Sequence, residues 1–168
     1  MQNSVAVVIL NWNGQKHLET YLPSVTAHSK NATIYLADND STDQSVQFVK
    51  EHYPEIKIIL NKENGGFAKG YNMCLQNLSE EYFVLLNSDV EVTPNWIEPI
   101  VNFMSNHSKV SIAQPKIKSY RDKTYFEYAG AAGGFIDFLG YPFCQGRIFQ
   151  SMEKDHGQYN ENKEVFWA

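Results

Sequence analysis

Asn87, Ser88 and Asp89 directly follow the apolar pair Leu85-Leu86 and together offer an amide, a hydroxyl and a carboxylate oxygen. Hard divalent cations prefer oxygen ligands, and Mg²⁺ is usually held by one or two carboxylates together with the phosphates of a substrate. Asp89 is therefore the candidate metal ligand, in a site for Mg²⁺ or Mn²⁺ and a nucleoside diphosphate. A solvated turn ahead of a helix is the alternative interpretation of the same residues.

The segment from Asp38 to Asp43 brings three carboxylates to the end of another apolar run. Asp38 lies where that run stops, so its carboxylate is placed to accept hydrogen bonds from a nucleotide base or ribose, with Asn39 beside it. For Asp40 and Asp43 a structural role is favoured. Short acidic side chains form Asx turns, and they stabilise the N-terminus of a following helix through its dipole.

Asn64, Gly65 and Gly66 stand between a third apolar run and a predicted helix. Glycine adopts positive φ and lets the backbone approach a ligand closely, although the same residues also suit a plain tight turn. The spacing matches neither the dinucleotide fingerprint nor the P-loop. Lys69, in the first turn of the helix, either reaches a diphosphate or faces solvent.

Asn11 and Asn13 follow the first apolar run, Val5 to Leu10, so polar residues recur at the ends of four such runs. Continuous runs rich in β-branched residues are typical of parallel strands that are buried on both faces. Ligands of an open α/β sheet bind beyond the carboxyl ends of its strands. We therefore expect the four clusters to converge on one nucleotide-binding site.

Strands and helices are predicted to alternate along the first two thirds of the chain. The predicted strands are 5–10, 33–37, 56–60, 82–86 and 110–113. The predicted helices are 15–28 with a kink or break at Pro23, a helix opened by a capping box at Ser41 and Gln44 and ending near Pro54, 67–78, and one starting at Thr93-Pro94. This alternation predicts an α/β fold with a doubly wound, mostly parallel sheet.

Beyond Pro115 the periodicity gives way to a tract rich in aromatic residues and glycine, for which hairpins and loops are expected. The 168 residues have the length of one ordinary domain. A single domain over 1–168 is therefore predicted, with a binding core over about 1–115 and a hairpin and loop region over 116–168.

The composition excludes several classes of protein. The net charge is −5 and the 14 lysines and arginines are scattered, so no basic surface for nucleic acid is expected. Cys74 and Cys144 have no metal-ligand spacing, and no apolar run approaches the ~20 residues that span a bilayer. A reducing, cytoplasmic location is expected.

Four motifs resemble those of the family-2 glycosyltransferases, and the rhamnosyltransferase-like branch matches best. They are the segments 7–13, 38–43, 63–72 and 85–90. They occur in the family's order, and the resemblance covers essentially the whole chain, more loosely after Pro115. It implies the GT-A fold and an inverting, metal-assisted transfer of a sugar from a nucleotide-diphospho-sugar donor to an acceptor.

The resemblance also implies roles for individual residues. The first motif and Asp38 would line the nucleoside pocket, and the segment 64–72 would pack beside the donor. Asn87-Ser88-Asp89 occupies the D-x-D position, where Asp89 would bind a divalent ion that bridges the diphosphate, and Asn87 replaces the usual first aspartate. The candidate donor-binding residues are Asn11, Asn13, Asp38, Asn39, Asn64, Gly66, Lys69, Asn72, Asn87 and Ser88.

Family members carry the catalytic base, an acidic residue, beyond a strand similar to Val165 to Ala168. This chain stops inside that strand, so we expect a fragment that holds the donor-binding half and leaves the catalytic residue unassigned. Such a chain would bind donor and metal but transfer poorly or not at all. An exposed core edge would favour a homodimer, because unpaired strand edges recruit partners.

Two other classes of function compete with a glycosyltransferase. A sugar nucleotidyltransferase needs a glycine- and lysine-rich first loop, which Asn11 to Gly14 does not provide. A non-catalytic receiver-like module needs paired acids after the first strand, where this chain has asparagines. The expected partners are a UDP- or dTDP-sugar and a glycan or lipid-linked acceptor, met in the cytoplasm at the membrane's cytoplasmic face.

Overall fold

Parallel strands and their connecting helices make up the first part of the chain in the computed structural model, which describes residues 4–129 and 131–167. The strands are β1 (Val5–Asn11), β2 (Thr33–Asp38), β3 (Lys57–Leu60) and β4 (Tyr82–Asn87). The helices are α1 (Gln15–His28), α2 (Ser45–His52), α3 (Gly66–Leu75) and α4 (Glu98–Asn106). The chain forms two compact units, divided between Val101 and Asn102.

The sheet of the first unit has the strand order β3-β2-β1-β4, and every pair is parallel. The chain therefore winds outward from β1 to β3 and then crosses back to place β4 on the other side of β1. Ligands of such sheets bind at the point where the winding reverses, beyond the carboxyl ends of the strands. Here that point lies between β1 and β4.

Both faces of the sheet are covered by helices. Alternate residues of β1 enter the two layers, because successive side chains of a strand point to opposite faces. Val5, Val7 and Ile9 pack with the buried residues of α1, α2 and α4, whereas Ala6 and Val8 pack with those of α3. The predicted doubly wound, mostly parallel α/β sheet is confirmed.

Two local predictions in this unit are wrong. Helix α1 continues through Pro23, so of the predicted kink or break no break occurs. Helix α2 begins at Ser45 with no side-chain cap. Ser41 Oγ accepts from the Asn13 N–H at 2.9 Å and from Asn11 Nδ2 at 3.1 Å instead, so it does not cap a helix. The helix predicted from Thr93 begins at Glu98, because Asn95 adopts a left-handed φ of 59° that interrupts any helix starting earlier.

The fifth strand predicted at 110–113 is also absent: these four residues are neither strand nor helix. Ile112 is 75% exposed. A run this short, with its largest apolar side chain in solvent, gains too little from burial to fix a strand.

The second unit contains an antiparallel meander of four short strands, β5 (Gly134–Ile136), β6 (Pro142–Cys144), β7 (Arg147–Ile148) and β8 (Ser151–Met152). Phe126 is fully buried in this unit. The carboxylate of Asp155 lies 3.0 Å from Nζ of Lys116 and 3.1 Å from Nζ of Lys118. Among the residues that the structure describes, no helix is long and apolar enough to cross a membrane.

Candidate functional site

The last residues of β1 and β2, Asn11 and Asp38, lie opposite each other in the parallel ladder. The side chain of Asn11 donates from Nδ2 to Asp38 Oδ1 at 2.8 Å, and the two residues are 1% and 2% exposed. Ser41 donates its backbone N–H to Asp38 Oδ2 at 2.9 Å and its hydroxyl to Oδ1 at 2.6 Å. The carboxylate of Asp38 thus holds the loop after β2 against the end of β1.

Asn13 ties the same two loops together from the exposed side. Its Oδ1 accepts from the backbone N–H of Thr42 at 2.7 Å and of Asp43 at 3.2 Å, while its own N–H donates to Ser41 Oγ at 2.9 Å. Asn13 and Asp40 both have left-handed φ values, of 50° and 61°, which Asn and Asp tolerate better than other side chains. The loops after β1 and β2 therefore form one hydrogen-bonded surface.

Asp43 links the N-termini of two helices. Its carboxylate accepts from the backbone N–H of Gln15 at 3.1 Å, from the backbone N–H of Ser45 at 3.0 Å and from the Ser45 hydroxyl. Burial raises the pKa of Asp43, but these hydrogen bonds outweigh it and leave the pKa below its ordinary value. A structural role was expected for this residue, and these contacts are structural.

Asn39 connects β2 to the start of α3 and is 2% exposed. Its Nδ2 donates to the backbone oxygen of Gly66 at 2.9 Å and lies 3.5 Å from Asn64 Oδ1, while its Oδ1 accepts from Asn61 Nδ2 at 2.7 Å. A Cβ at Gly70 would lie 2.5 Å from Asn39 Nδ2, so the close approach of α3 requires glycine there. The polar residues that end β2 and β3 thus position α3.

The point where the winding reverses is marked by Asn11 and Gly14 on the β1 side and Ser88 on the β4 side. A Cβ at Gly14 would lie 2.5 Å from Asn11 Oδ1 and 3.4 Å from Ser88 Oγ. Asn11 Oδ1 is buried, and no hydrogen-bond donor reaches it from the described residues. A buried amide oxygen without a donor carries a free-energy cost.

Asn87 and Asp89 are exposed at the end of β4, and Ser88 between them is partly exposed. Within residues 4–129 and 131–167, no group of three or more His, Cys, Asp and Glu side chains is arranged to hold a metal ion. The three residues nonetheless supply hard oxygen donors, which fit a divalent cation that takes its remaining ligands from phosphate and water.

Lys69 and Asn72 lie on exposed positions of α3. The ammonium of Lys69 forms an ion pair with Glu63, with 58% and 60% of the two side chains exposed, and its hydrogen bond lowers the pKa of Glu63. The sequence predicted that Lys69 either reaches a diphosphate or faces solvent. Neither interpretation included this ion pair with Glu63.

Trp12 was predicted only as part of the first motif, and Asn61 was not predicted at all. The indole of Trp12, between Asn11 and Asn13, is 58% exposed. Asn61 is buried and donates to both Asn39 Oδ1 and the backbone oxygen of Gly70. Its signal was its position directly after β3, the same kind of position as Asn11 and Asp38.

Comparison with known proteins gives the family. The family model described as glycosyl transferase family 2 matches residues 6–161. The chain belongs to this family. The resemblance inferred from the four motifs is confirmed.

Relatives of the family-2 chain include two bacterial enzymes. An uncharacterized glycosyltransferase of Haemophilus influenzae is 28% identical over 111 residues, which cover 64% of this chain and 34% of the relative. The N-acetylglucosaminyl-diphospho-decaprenol L-rhamnosyltransferase of Mycobacterium tuberculosis is 24% identical over 137 residues, covering 74% and 45%. The chain thus spans between a third and a half of the length of these relatives.

Solved structures share the fold of the family-2 chain. Residues 1–349 of Staphylococcus aureus TarS in complex with UDP-GlcNAc align with a TM-score of 0.56 at 19% identity, over 69% of this chain and 38% of that TarS chain. A mannosyltransferase of Pyrobaculum calidifontis in complex with GDP-Man and Mn²⁺ aligns with a TM-score of 0.54 at 20% identity, over 70% and 36%. The predicted GT-A fold is confirmed by these likenesses.

Proposed function

We propose that this chain is the donor-binding part of an inverting glycosyltransferase that moves a sugar from a UDP- or dTDP-sugar to a glycan or lipid-linked acceptor. The donor binds in the crevice beyond the carboxyl ends of β1, β2 and β4. One observation carries the proposal: the polar ends of β1 and β4 meet where the winding of a family-2 sheet reverses, since a Cβ at Gly14 would lie 2.5 Å from Asn11 Oδ1 and 3.4 Å from Ser88 Oγ. The donor-binding core over about 1–115 remains part of this proposal.

The nucleoside is assigned to the surface formed by the loops after β1 and β2. The exposed indole of Trp12 offers an aromatic face on which a base stacks. Asn13 lies beside it, while Asn11, Asp38 and Asn39 act through the loop backbone that they hold. We assign these different roles because the side chains of Asn11, Asp38 and Asn39 are at most 2% exposed and so do not face the nucleoside.

The diphosphate is assigned to the space between the β4 end and α3. Asn64, Gly66, Lys69 and Asn72 lie at the start of α3 or on its exposed positions, with the Lys69 ammonium held by Glu63 in the absence of an anion. A diphosphate carries more charge than one carboxylate, so we expect Lys69 to exchange Glu63 for the donor. On the β4 side of this space, the amide of Asn87 and the hydroxyl of Ser88 are the proposed contacts of the diphosphate.

A divalent cation, Mg²⁺ or Mn²⁺, is assigned to Asp89 with help from Asn87 and Ser88. The exposed oxygens of these residues fit a hard cation whose other ligands are phosphate and water. When bound, the ion neutralises charge on the departing nucleoside diphosphate. The Pyrobaculum mannosyltransferase, solved in complex with both GDP-Man and Mn²⁺, supports this choice of cofactor.

The acceptor and location are inferred from the relatives. The mycobacterial rhamnosyltransferase is named for a decaprenol-linked acceptor, which supports a lipid-linked glycan in cell-envelope synthesis and rhamnose as the sugar. An enzyme with such an acceptor works at the cytoplasmic face of the membrane, where nucleotide sugars are present.

A homodimer is the proposed assembly. β4 is an edge strand of the parallel sheet, and Phe83 and Leu85 on it are 41% and 50% exposed. Unpaired edge strands with apolar side chains favour pairing with another chain. Sedimentation velocity of the wild type and of a Phe83→Lys variant tests this assembly, and a wild type that sediments as a monomer would contradict it.

Calorimetric titration with UDP, dTDP and GDP, with and without Mn²⁺, tests the donor site. We expect one nucleotide to bind in a metal-dependent manner, and we expect Asp89→Asn to weaken that binding at least about tenfold, or about 1.4 kcal/mol. Glu55→Gln, which neutralises another exposed carboxylate, is the matched control and should bind as the wild type does. Equal metal-dependent affinity in Asp89→Asn, or no binding of any nucleotide, would overturn the proposal.

A further inference from the structure

The antiparallel meander exposes large apolar side chains at one of its two ends. β5 and β6 are joined by the turn 137–141, and β7 and β8 by the turn 149–150, while β6 and β7 are joined at the opposite end. Because neighbouring strands run in opposite directions, the first two turns lie at the same end. We call it the apolar end: Phe138 (94% exposed), Leu139 (67%), Tyr141 (68%), Ile148 (64%) and Phe149 (87%).

The opposite end of the meander is turned toward the interior of the unit. Cys144 is buried there, and a Cβ at Gly146 would lie 2.6 Å from Cγ of the fully buried Phe126. The same four strands therefore bury one end in their own core and present the other to the surroundings. Exposed apolar patches of this kind mark surfaces that bind a partner or a membrane.

The turn 137–141 at the apolar end pairs some of its own backbone polar groups. Asp137 Oδ1 accepts from the backbone N–H of Leu139 at 2.8 Å and of Tyr141 at 2.9 Å. The backbone oxygen of Asp137 accepts from Gly140 at 3.0 Å, and its N–H donates to the Tyr141 oxygen at 3.0 Å. These bonds lower the cost of moving this part of the turn out of water, and that cost is the main obstacle to placing an irregular backbone in lipid.

Charge also favours a lipid surface. The 25 residues from 128 to 152 contain only two charged side chains, Asp137 and Arg147. The Asp137 carboxylate accepts the two turn hydrogen bonds, and the Arg147 guanidinium lies 4.0 Å above the Tyr128 ring. Residues 102–168 hold eight Lys or Arg and seven Asp or Glu, whereas residues 1–101 hold six and twelve. The acidic excess that an anionic surface would repel is therefore confined to the first unit.

We propose that the apolar end inserts into the interfacial region of a lipid bilayer and holds the chain at the membrane surface. Phe138, Leu139 and Phe149 supply apolar surface, and Tyr141 combines an aromatic ring with a hydroxyl that suits the headgroup level. The scarcity of charged side chains over 128–152 and the lack of an acidic excess over 102–168 are the reasons for choosing a lipid surface. The inference goes beyond the nucleotide site and does not depend on it, although a lipid-linked acceptor would be met at this surface.

Flotation of the full chain with mixed phosphatidylcholine and phosphatidylglycerol vesicles tests the proposal, without nucleotide or metal. We expect the wild type to float with the vesicles and the double variant Phe138→Ser, Leu139→Ser to partition at least about tenfold more weakly. Ile112→Ser is the matched control, because Ile112 is 75% exposed but lies outside the apolar end. Absence of wild-type binding, or an equal loss in the control, would overturn the proposal.

A second variant keeps the apolar end intact and reports its position. Phe138→Trp should show blue-shifted emission on vesicles and quenching by brominated lipids, measured against the wild-type spectrum. An indole that stays in water while the chain floats would refute insertion. If the serine variants change the sedimentation coefficient but not the partitioning, the surface joins two copies of the chain and the proposal falls. Nucleotide titration of the same variants distinguishes a failure of the membrane proposal from a failure of the proposed donor-binding function.

Discussion

Asn11 Nδ2 donates to Asp38 Oδ1 at 2.8 Å across the last rung between β1 and β2. This bond fixes the orientation of the Asn11 amide, since Nδ2 is committed to Asp38 and to Ser41 Oγ at 3.1 Å. Oδ1 must then point away from the carboxylate, toward Gly14, where it has no donor among the described residues. Asn11 thus ends β1, holds the loop after β2 and packs its amide oxygen against Gly14 at the point where the winding reverses.

Asp38→Ala should destabilise the first unit. Removing the carboxylate leaves the Ser41 N–H and hydroxyl without their acceptor, whereas Asn11 Nδ2 keeps Ser41 Oγ at 3.1 Å. Unsatisfied buried groups cost about 1–3 kcal/mol each, and Ser41 is only partly buried, so we expect a total loss of about 2–4 kcal/mol. Urea denaturation followed by circular dichroism measures the change. Asp40→Asn is the control, because Asp40 is exposed and asparagine tolerates its φ of 61°. A loss in Asp38→Ala no larger than in this control would show that the network does not hold the loop.

Gly14→Ala should displace the Asn11 amide. The added Cβ would lie 2.5 Å from Asn11 Oδ1, so either the side chain or the backbone must move, at a cost of about 1–3 kcal/mol. Nucleotide binding should weaken with it, because the two loops meet at this position. Thermal denaturation and calorimetry measure the two effects.

Gly66→Asn is the control for the stability loss in Gly14→Ala, because it also replaces a loop glycine. No atom lies within 4 Å of a Cβ at Gly66, and asparagine tolerates positive φ, here 69°. We expect less than about 1 kcal/mol of destabilisation there. A Gly14→Ala protein as stable as Gly66→Asn would mean that the space beside Asn11 is larger than the geometry indicates.

The strands and their polar ends could be predicted because both depend on local sequence. Continuous β-branched runs specify buried strands whichever strands become their neighbours, and Asn11, Asp38 and Asn87 continue the ladder by one residue beyond each apolar run. The family motifs then gave the order of the elements. Which side chains would be buried in hydrogen bonds and which exposed was not predictable, since it depends on pairing between strands distant in sequence.

Two of the failed predictions have the same physical cause, which is competition for a side chain or a backbone conformation. Ser41 has the sequence of a helix cap, but its Oγ already accepts from the Asn13 N–H and from Asn11 Nδ2. Thr93 and Pro94 have the sequence of a helix start, but Asn95 adopts a left-handed conformation. Local signals indicate what a residue is able to do, and the tertiary environment decides among the options.

The second unit should lose stability in acid through Asp155. The Gly157 N–H and the ammonium groups of Lys116 and Lys118 hold the pKa of Asp155 well below its usual range, although burial opposes them. Because the folded pKa lies below the unfolded value of about 3.9, the stabilisation is complete above that pH and is lost as pH falls through the folded pKa. Asp155→Asn should cost about 1–3 kcal/mol at neutral pH and flatten the acid dependence.

Labelling of the buried Cys144 with a pyridyl disulfide, read by mass spectrometry of its peptide, reports on this unit. Between about pH 7 and pH 4 the wild type should stay closed, and below about pH 4 it should open progressively as pH falls toward the folded pKa, whereas Asp155→Asn should be more open at neutral pH and change less. Glu161→Gln, which removes an exposed carboxylate of the same unit, should follow the wild type. Parallel acid profiles for wild type and Asp155→Asn would remove Asp155 as the cause.

The ion pair between Lys69 and Glu63 gives the sharpest test of where the diphosphate lies. If Lys69 leaves Glu63 to bind the donor, that exchange lowers the observed affinity, and Glu63→Gln should strengthen nucleoside diphosphate binding about 3- to 10-fold. Lys69→Met should weaken it by a similar factor. Both effects should shrink in high salt, because the two side chains are 58% and 60% exposed and screening acts on exposed charges.

Lys62→Met is the control for the loss of a positive charge, since Lys62 is exposed and precedes Glu63 directly. A diffuse electrostatic effect would weaken binding equally in Lys62→Met and Lys69→Met, whereas direct contact weakens it in Lys69→Met alone. Tighter binding in Glu63→Gln together with an unchanged Lys69→Met would place the diphosphate near Glu63 but away from Lys69. Lys62 and Lys69 are seven residues apart. Comparing their variants in one titration series therefore distinguishes direct contact with the diphosphate from a general effect of positive charge.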